Sequence, residues 1–177
     1  MYLRSLEGCR LAIGAYPPFD YDARGGGGKG TLVPTQKENV QQLSFSPETF
    51  SIPTLSSQTT KFLSLPLPPG LQIKMSMKKL EGTIDTDSGE ILLNFESRFT
   101  LSIGSIFNFP DLLVHTSLET GNIKGHIHEG NGLVRQENGQ TRLVGIAMIP
   151  VTGNKILDYF LGLPNEALAV LQCEIKK

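Results

Sequence analysis

The stretch Glu90-Ile-Leu-Leu-Asn-Phe-Glu-Ser-Arg-Phe-Thr-Leu-Ser-Ile103 decides the fold class, because its apolar and polar side chains alternate almost without a break. One face carries Ile91, Leu93, Phe95, Phe99, Leu101 and Ile103, and the other carries Asn94, Glu96, Arg98 and Thr100. A period of two is typical of a β-strand with one buried and one solvated face. The stretch is about twice as long as a usual strand of about 5–6 residues, which predicts a bend, placed at Ser97, around a barrel or sandwich corner.

Similar patterns flank this stretch on both sides. Further strands are predicted over 71–77, 80–85, 112–118, 123–128, 141–149 and 170–175, with a hairpin turn at Asp87-Ser-Gly89. A short helix is predicted to begin near Thr152 or Asn154 and to end at Gly162 and Pro164. The sequence therefore predicts a mainly β protein, either a small antiparallel barrel or a strongly curved meander sheet, with one short helix near the C-terminus.

The first 30 residues differ in composition from the rest. An aromatic stretch, Tyr16 to Arg24, leads into Gly25-Gly-Gly-Gly28, and four successive glycines lose much entropy when they become ordered. This predicts a flexible, Gly-rich arm over residues 1–30 and a single β-barrel-like domain over residues 31–177. Partner-binding side chains are predicted in the arm and in the loop around Pro110, namely Tyr16, Phe19, Tyr21, Phe107 and Phe109.

Composition excludes several classes of function. The 177 residues include 16 basic and 17 acidic side chains, and a net charge of -1 gives no general attraction to nucleic acid. No apolar run reaches the roughly 18 residues that cross a bilayer, so a transmembrane segment is not expected, whereas peripheral membrane contact stays open. Charges interrupt the N-terminal apolar run, which predicts a cytoplasmic protein without a secretory signal.

Cysteine and histidine offer few candidates for chemistry. Cys9 and Cys173 lack CxxC spacing and are expected to be reduced thiols, although their pairing stays open. His126 and His128 would share one face of the predicted strand, where His115 could complete a metal site. The alternative is a solvated strand face with two surface histidines. No catalytic residue and no cofactor is predicted.

The interior of the predicted barrel leaves two alternatives. Its inward positions are Leu, Ile, Met and Phe, without ionisable groups. Such side chains either fill a small barrel or line a cavity for an apolar ligand such as a lipid, an isoprenoid or a pigment.

Five segments together resemble an uncharacterised family of β-rich proteins of cyanobacteria and chloroplasts. They are residues 16–28, 65–71, 79–83, 142–147 and 160–164. The resemblance implies a setting on the cytoplasmic or stromal side of oxygenic photosynthesis, without a catalytic residue to carry over.

The sequence favours a non-enzymatic binding or assembly-type protein whose partner is a protein or an apolar small molecule. A carrier of an apolar ligand is the first alternative. A metal-dependent barrel enzyme that uses His126 and His128 is the second.

Overall fold

The computed structural model describes residues 1–176, which form strands and one short helix. In chain order the strands are Tyr2–Ser5 (β1), Cys9–Ile13 (β2), Phe19–Tyr21 (β3), Gly27–Pro34 (β4), Val40–Phe45 (β5), Thr60–Phe62 (β6), Leu65–Pro66 (β7), Leu71–Asp85 (β8), Ile91–Ile103 (β9), Phe107–Asn108 (β10), Leu112–Glu119 (β11), Asn122–Lys124 (β12), Glu129–Asn131 (β13), Gln140–Ile149 (β14) and Asn165–Lys176 (β15). The helix, α1, spans Lys155–Leu161.

Eight of the strands form a closed ring of antiparallel neighbours. The order is β1, β4, β5, β8, β9, β11, β14 and β15, and β15 pairs back with β1. The longest hairpin joins β8 and β9, from the pair Leu71 and Ile103 to the pair Ile84 and Ile91. The predicted class is confirmed: the protein is mainly β, with a strongly curved antiparallel sheet and one short helix near the C-terminus.

The long hairpin contains a register shift at the position predicted for a bend. Met77 lies opposite Ser97, but the next pair is Lys79 and Glu96, so β8 contains one extra residue. A β-bulge of this kind bends its strand and increases the local twist. The irregularity therefore lies in β8, directly across from Ser97.

Four short strands extend the sheet past the ring. Both β1 and β2 pair with the same side of β15, since Tyr2 lies opposite Lys176 and Ile13 lies opposite Ala167. From β2 the sheet continues through β3 and β6 to β7. The isolated bridge between Leu55 and Ile73 then connects this extension to β8.

The arm predicted for residues 1–30 is a set of strands in the structure. β1, β2, β3 and the start of β4 all belong to the main sheet, and Gly26, Gly27 and Gly28 are buried. Gly27 has a φ of 123°, and a Cβ there would overlap the carbonyl oxygen of Leu3 on β1. The glycines serve close backbone packing, so the hydrogen bonds and burial that they permit offset their entropic cost.

Side chains pack the interior in two clusters. The larger lies within the ring and comprises Leu3, Leu43, Phe45, Met77, Leu80, Ile84, Ile91, Leu93, Leu118, Leu143, Cys173 and Ile175. The smaller lies between β8 and the extension and comprises Cys9, Tyr21, Ala23, Leu55, Leu67 and Met75. Both cysteines are buried free thiols.

The β12–β13 hairpin covers part of the outer face of β14 and β15. A Cβ at Gly130 would touch Val144 on β14 and Leu168 on β15. This cover explains why β14 is apolar on both faces. The strand predicted over 123–128 ends earlier, because Gly125 donates a backbone hydrogen bond to the His128 carbonyl oxygen (2.8 Å) and closes a turn.

Helix α1 has the predicted ends. The Asn154 side chain accepts hydrogen bonds from the backbone N–H groups of Ile156 and Leu157, and Gly162 ends the helix with a φ of 64°. Leu157 is the one buried residue of α1. The helix is thus fixed by its caps and a single core anchor.

Candidate functional site

The two ends of the strand ring differ sharply in chemistry. Strand directions and register place four connecting segments, residues 14–18, 63–70, 103–111 and 150–164, at one end, which we call the apolar end. Four other segments, residues 34–39, 86–90, 119–121 and 135–139, lie at the opposite, polar end. The meander returns to the same two ends with each strand, so the composition of the loops determines the chemistry of each end.

The apolar end collects most of the exposed large hydrophobic side chains. Of the seventeen such side chains among residues 1–176, ten lie in its four segments and none lies in the segments of the polar end. The ten are Tyr16, Leu63, Leu65, Ile103, Ile106, Phe107, Val151, Ile156, Tyr159 and Phe160. Clustered exposure of this kind marks an interaction site more often than scattered single side chains do.

Charge is distributed in the opposite way. The four segments of the apolar end contain three charged side chains, Asp111, Lys155 and Asp158. Asp111 accepts a hydrogen bond from the Thr100 hydroxyl (2.5 Å), and Asp158 accepts from the Thr152 hydroxyl (2.6 Å) and from the Thr152 and Gly153 backbone N–H groups. Both carboxylates therefore serve local structure, and Lys155 is the exposed cation of these four segments.

Helix α1 presents the most exposed part of the apolar end. Tyr159 is 91% exposed and Ile156 is 75% exposed. The Tyr16 hydroxyl donates to the Phe160 carbonyl oxygen (2.5 Å), and the two rings lie 6.0 Å apart. Side-chain contacts thus join the loop after β2 to the helix.

The β6–β7 turn is conformationally costly. Leu63 and Ser64 both have positive φ, 51° and 67°, a region that non-glycine residues seldom adopt. The Leu63 side chain is nevertheless exposed, so its own burial does not offset this cost. Backbone strain of this kind is concentrated at functional sites.

The structure divides the five side chains predicted to bind a partner. Tyr16 and Phe107 are exposed at the apolar end, and Phe109 is half-buried in the same loop as Phe107. Phe19 packs against Phe62 with a ring separation of 4.9 Å. Tyr21 is a core residue whose hydroxyl donates to the Pro53 carbonyl oxygen, so it is not a surface contact.

Sequence reasoning missed the exposed residues of α1, because it placed the candidate partner-binding side chains only in the predicted arm and in the loop around Pro110. The signal was present in the composition: five of the seven residues of Lys155–Leu161 are apolar or aromatic, more than one narrow face of the helix can hold. A short helix that packs on one side cannot bury all of them. This excess of apolar side chains on a short helix predicts that some of them are exposed to solvent.

The three histidines are not brought together. His115 lies exposed on β11 with its Nδ1 atom 3.8 Å from Glu96, whereas His126 and His128 lie in the β12–β13 turn. Residues 1–176 contain no group of three or more His, Cys, Asp or Glu arranged to hold a metal ion. The predicted geometry of two imidazoles on one strand face is therefore wrong, because the chain turns between them.

Glu166 organises this turn instead. Its carboxylate is buried and accepts hydrogen bonds from the backbone N–H groups of His126 (2.7 Å), Ile127 (3.0 Å) and His128 (2.7 Å). Burial opposes its ionisation, but these three donors and the nearby His128 ring outweigh that effect and hold the Glu166 pKa below its ordinary value. The arrangement stabilises a turn, because backbone donors occupy three of the roughly four lone-pair sites of the carboxylate.

One groove lies at the polar end. It encloses about 890 Å³ and is open to solvent, and its lining includes Lys37, Asp85, Glu90 and Glu119. Apolar side chains, among them Ile91 and Leu92, also line this groove, and the interior of the ring is occupied by core side chains. The predicted carrier function stays a prediction.

Comparison of the chain with protein-family models, with curated proteins and with solved structures found no match in any of the three. Within residues 1–176, none of the helical structure is long and apolar enough to cross a membrane. The class of protein therefore has to be argued from the fold and from the two ends of the ring.

Proposed function

We propose that this chain is a non-enzymatic binding protein that docks on its partner through the apolar end. The observation that carries the proposal is the convergence of ten exposed large hydrophobic side chains from four separate segments onto one end of the ring. Exposed apolar surface reduces solubility unless a partner covers it, which supports a binding role. The resemblance to a photosynthetic family predicts where such a partner would be found, and this setting stays a prediction.

The experiment that tests this function is site-specific photo-crosslinking in the cells that make the protein. A photoreactive amino acid is placed at position 106 or 159 in the apolar end, and at position 37 or 87 in the polar end as matched controls. All four positions lie on exposed loops or on the exposed helix, so none disturbs the core. We expect covalent adducts, with either a protein or a lipid, from positions 106 and 159.

Positions 37 and 87 should yield few adducts in the same cells. Equal adduct formation from both ends, or no adduct from either end, would overturn the proposal. The assay reports the docking surface without assuming the class of partner.

A further inference from the structure

We infer that the occupant of the apolar end is the interface of an electrically neutral lipid bilayer. This inference rests on the proposed function and names the partner of the same surface. The shape of the surface, its backbone and its charge support it.

The shape of the surface suits a fluid partner. Strongly exposed side chains stand on three separate tips: Ile106 on the β9–β10 turn is 81% exposed, Tyr159 on α1 is 91% exposed, and Leu63 projects from the β6–β7 turn. Protein interfaces place their anchoring side chains in packed, complementary surroundings. Apolar side chains on separate tips instead match a phase that flows around each of them, as the bilayer interface does.

The backbone at this end is suited to an apolar medium. An unpaired N–H group costs several kcal/mol in a bilayer, and proline has no N–H group to satisfy. Eight of the eleven prolines of the chain lie in the four segments of the apolar end. They are Pro17, Pro18, Pro66, Pro68, Pro69, Pro110, Pro150 and Pro164.

Several other backbone groups at the apolar end are paired within the tips themselves. Phe107 and Asn108 of β10 pair with β9, and the Phe109 N–H group donates to the Leu101 carbonyl oxygen (3.0 Å). The helix tip is capped at both ends by Asn154 and Gly162. These groups would stay paired if the tips entered an apolar phase.

Charge decides which lipid surface fits. Anionic lipids attract clusters of lysine and arginine, each worth about 1 kcal/mol near the surface. The segments of the apolar end contain a single cation, Lys155, beside two carboxylates that are engaged within the protein. An almost neutral end matches a neutral headgroup layer. The amphipathic Tyr159 side chain suits the boundary between headgroups and acyl chains.

The test uses tryptophan as a depth reporter, because the chain contains no tryptophan of its own. Full-length variants Phe107→Trp and Tyr159→Trp place the reporter at the apolar end, and Val33→Trp places it on β4 beside the polar end. Each variant is mixed with phosphatidylcholine vesicles, some of them carrying brominated acyl chains. We expect a blue-shifted emission and quenching by bromine for the first two variants and neither effect for Val33→Trp.

Vesicle flotation measures how strongly the protein and its variants partition onto phosphatidylcholine vesicles. Replacing Ile106 or Tyr159 with serine should lower the partition coefficient about tenfold each, since burial of one large apolar side chain contributes at least about 1.4 kcal/mol. The matched control Val33→Ser should change it less than about twofold. Partition should also change less than about twofold when salt is raised from about 0.05 to 0.5 M, or when phosphatidylglycerol is added.

Three results would overturn the lipid inference: no partition of the wild-type chain, partition that requires anionic lipid, or equal blue shifts at positions 33 and 107. Loss of the lipid inference leaves the docking function testable. Protein adducts from positions 106 and 159 in the crosslinking experiment, without vesicle binding, would support docking on a protein. Failure of both experiments would remove the proposed function as well.

Discussion

Glu166 connects two parts of the structure that are far apart in sequence. It lies on β15, 38 to 40 residues after the three residues whose N–H groups donate to it, and it is the one buried carboxylate among residues 1–176. Because three short hydrogen bonds converge on it, this residue determines the position of the β12–β13 hairpin over the sheet. Its role is structural.

A Glu166→Gln substitution tests this role. The amide retains one acceptor oxygen but turns an NH₂ group toward backbone donors, so we expect a loss of about 1–3 kcal/mol of unfolding free energy at pH 7. The matched control is Glu129→Gln, an exposed glutamate of the same hairpin, which should cost less than about 0.5 kcal/mol. Denaturant unfolding at constant pH gives both values.

Wild type and Glu166→Gln should also differ in how their free energy of unfolding changes with pH. The pKa of Glu166 is lower in the folded state than the unfolded value of about 4.3, so its stabilising contribution is complete above that value. It is lost as pH falls through the lower folded pKa, because the carboxylate then becomes protonated in both states. We therefore expect the difference between wild type and Glu166→Gln to shrink progressively below about pH 4, and a difference that does not change with pH would contradict the assignment.

At the scale of elements, the pairing of β1 with β4 depends on the absence of a side chain at one position. Gly27 has a positive φ and lies so close to β1 that a Cβ would overlap the Leu3 carbonyl oxygen. Gly25, two residues earlier, also has a positive φ but has nothing within 4 Å of a Cβ position. Substitutions at the two glycines therefore distinguish the cost of backbone strain alone from the cost of strain together with steric overlap.

Alanine substitutions at these positions make a matched pair. Gly25→Ala should cost about 1–2 kcal/mol from strain alone. Gly27→Ala should cost about 3 kcal/mol or more, because strain and displacement of β1 add together. Thermal and denaturant unfolding of both variants measure the difference, and equal costs would mean that β1 can move without loss.

For the whole molecule, the main question is whether the ring is a solid core. Leu143 on β14 is completely buried within the larger cluster, whereas Leu113 on β11 points outward and is largely exposed. In a ring that is filled by its own side chains, shortening a core side chain leaves a cavity that the close-packed neighbours cannot fill. A ring that holds an exchangeable ligand would tolerate it better.

Leu143→Ala should therefore cost about 2–5 kcal/mol of unfolding free energy, the range for truncation in a packed core. The control Leu113→Ala should lie within about 0.5 kcal/mol of wild type. Equilibrium unfolding in urea gives both values. A small cost at position 143, together with a co-purifying lipid or pigment in an organic-solvent extract, would favour the carrier alternative instead.

Sequence alone determined the fold class, because side-chain alternation is a local property that each strand displays by itself. The 90–103 stretch, the closing strand over 170–175 and the ends of α1 all follow from periodicity and from local turn and cap chemistry. The glycines of residues 25–28 were read as an arm because composition reports the cost of ordering them. Composition does not report the contacts that offset this cost. Those contacts arise where β4 approaches β1, and this approach depends on closure of the ring.

Tertiary structure alone decided where the candidate site lies. Consecutive segments of the apolar end are separated by 44, 32 and 38 residues, and no segment by itself indicates that they share one surface. The antiparallel meander returns the chain to the same end after every second strand, so these loops gather there. Sequence thus indicated Tyr16 and Phe107 as single candidates, whereas their common surface with Ile106, Tyr159 and Phe160 depends on the direction in which each strand runs.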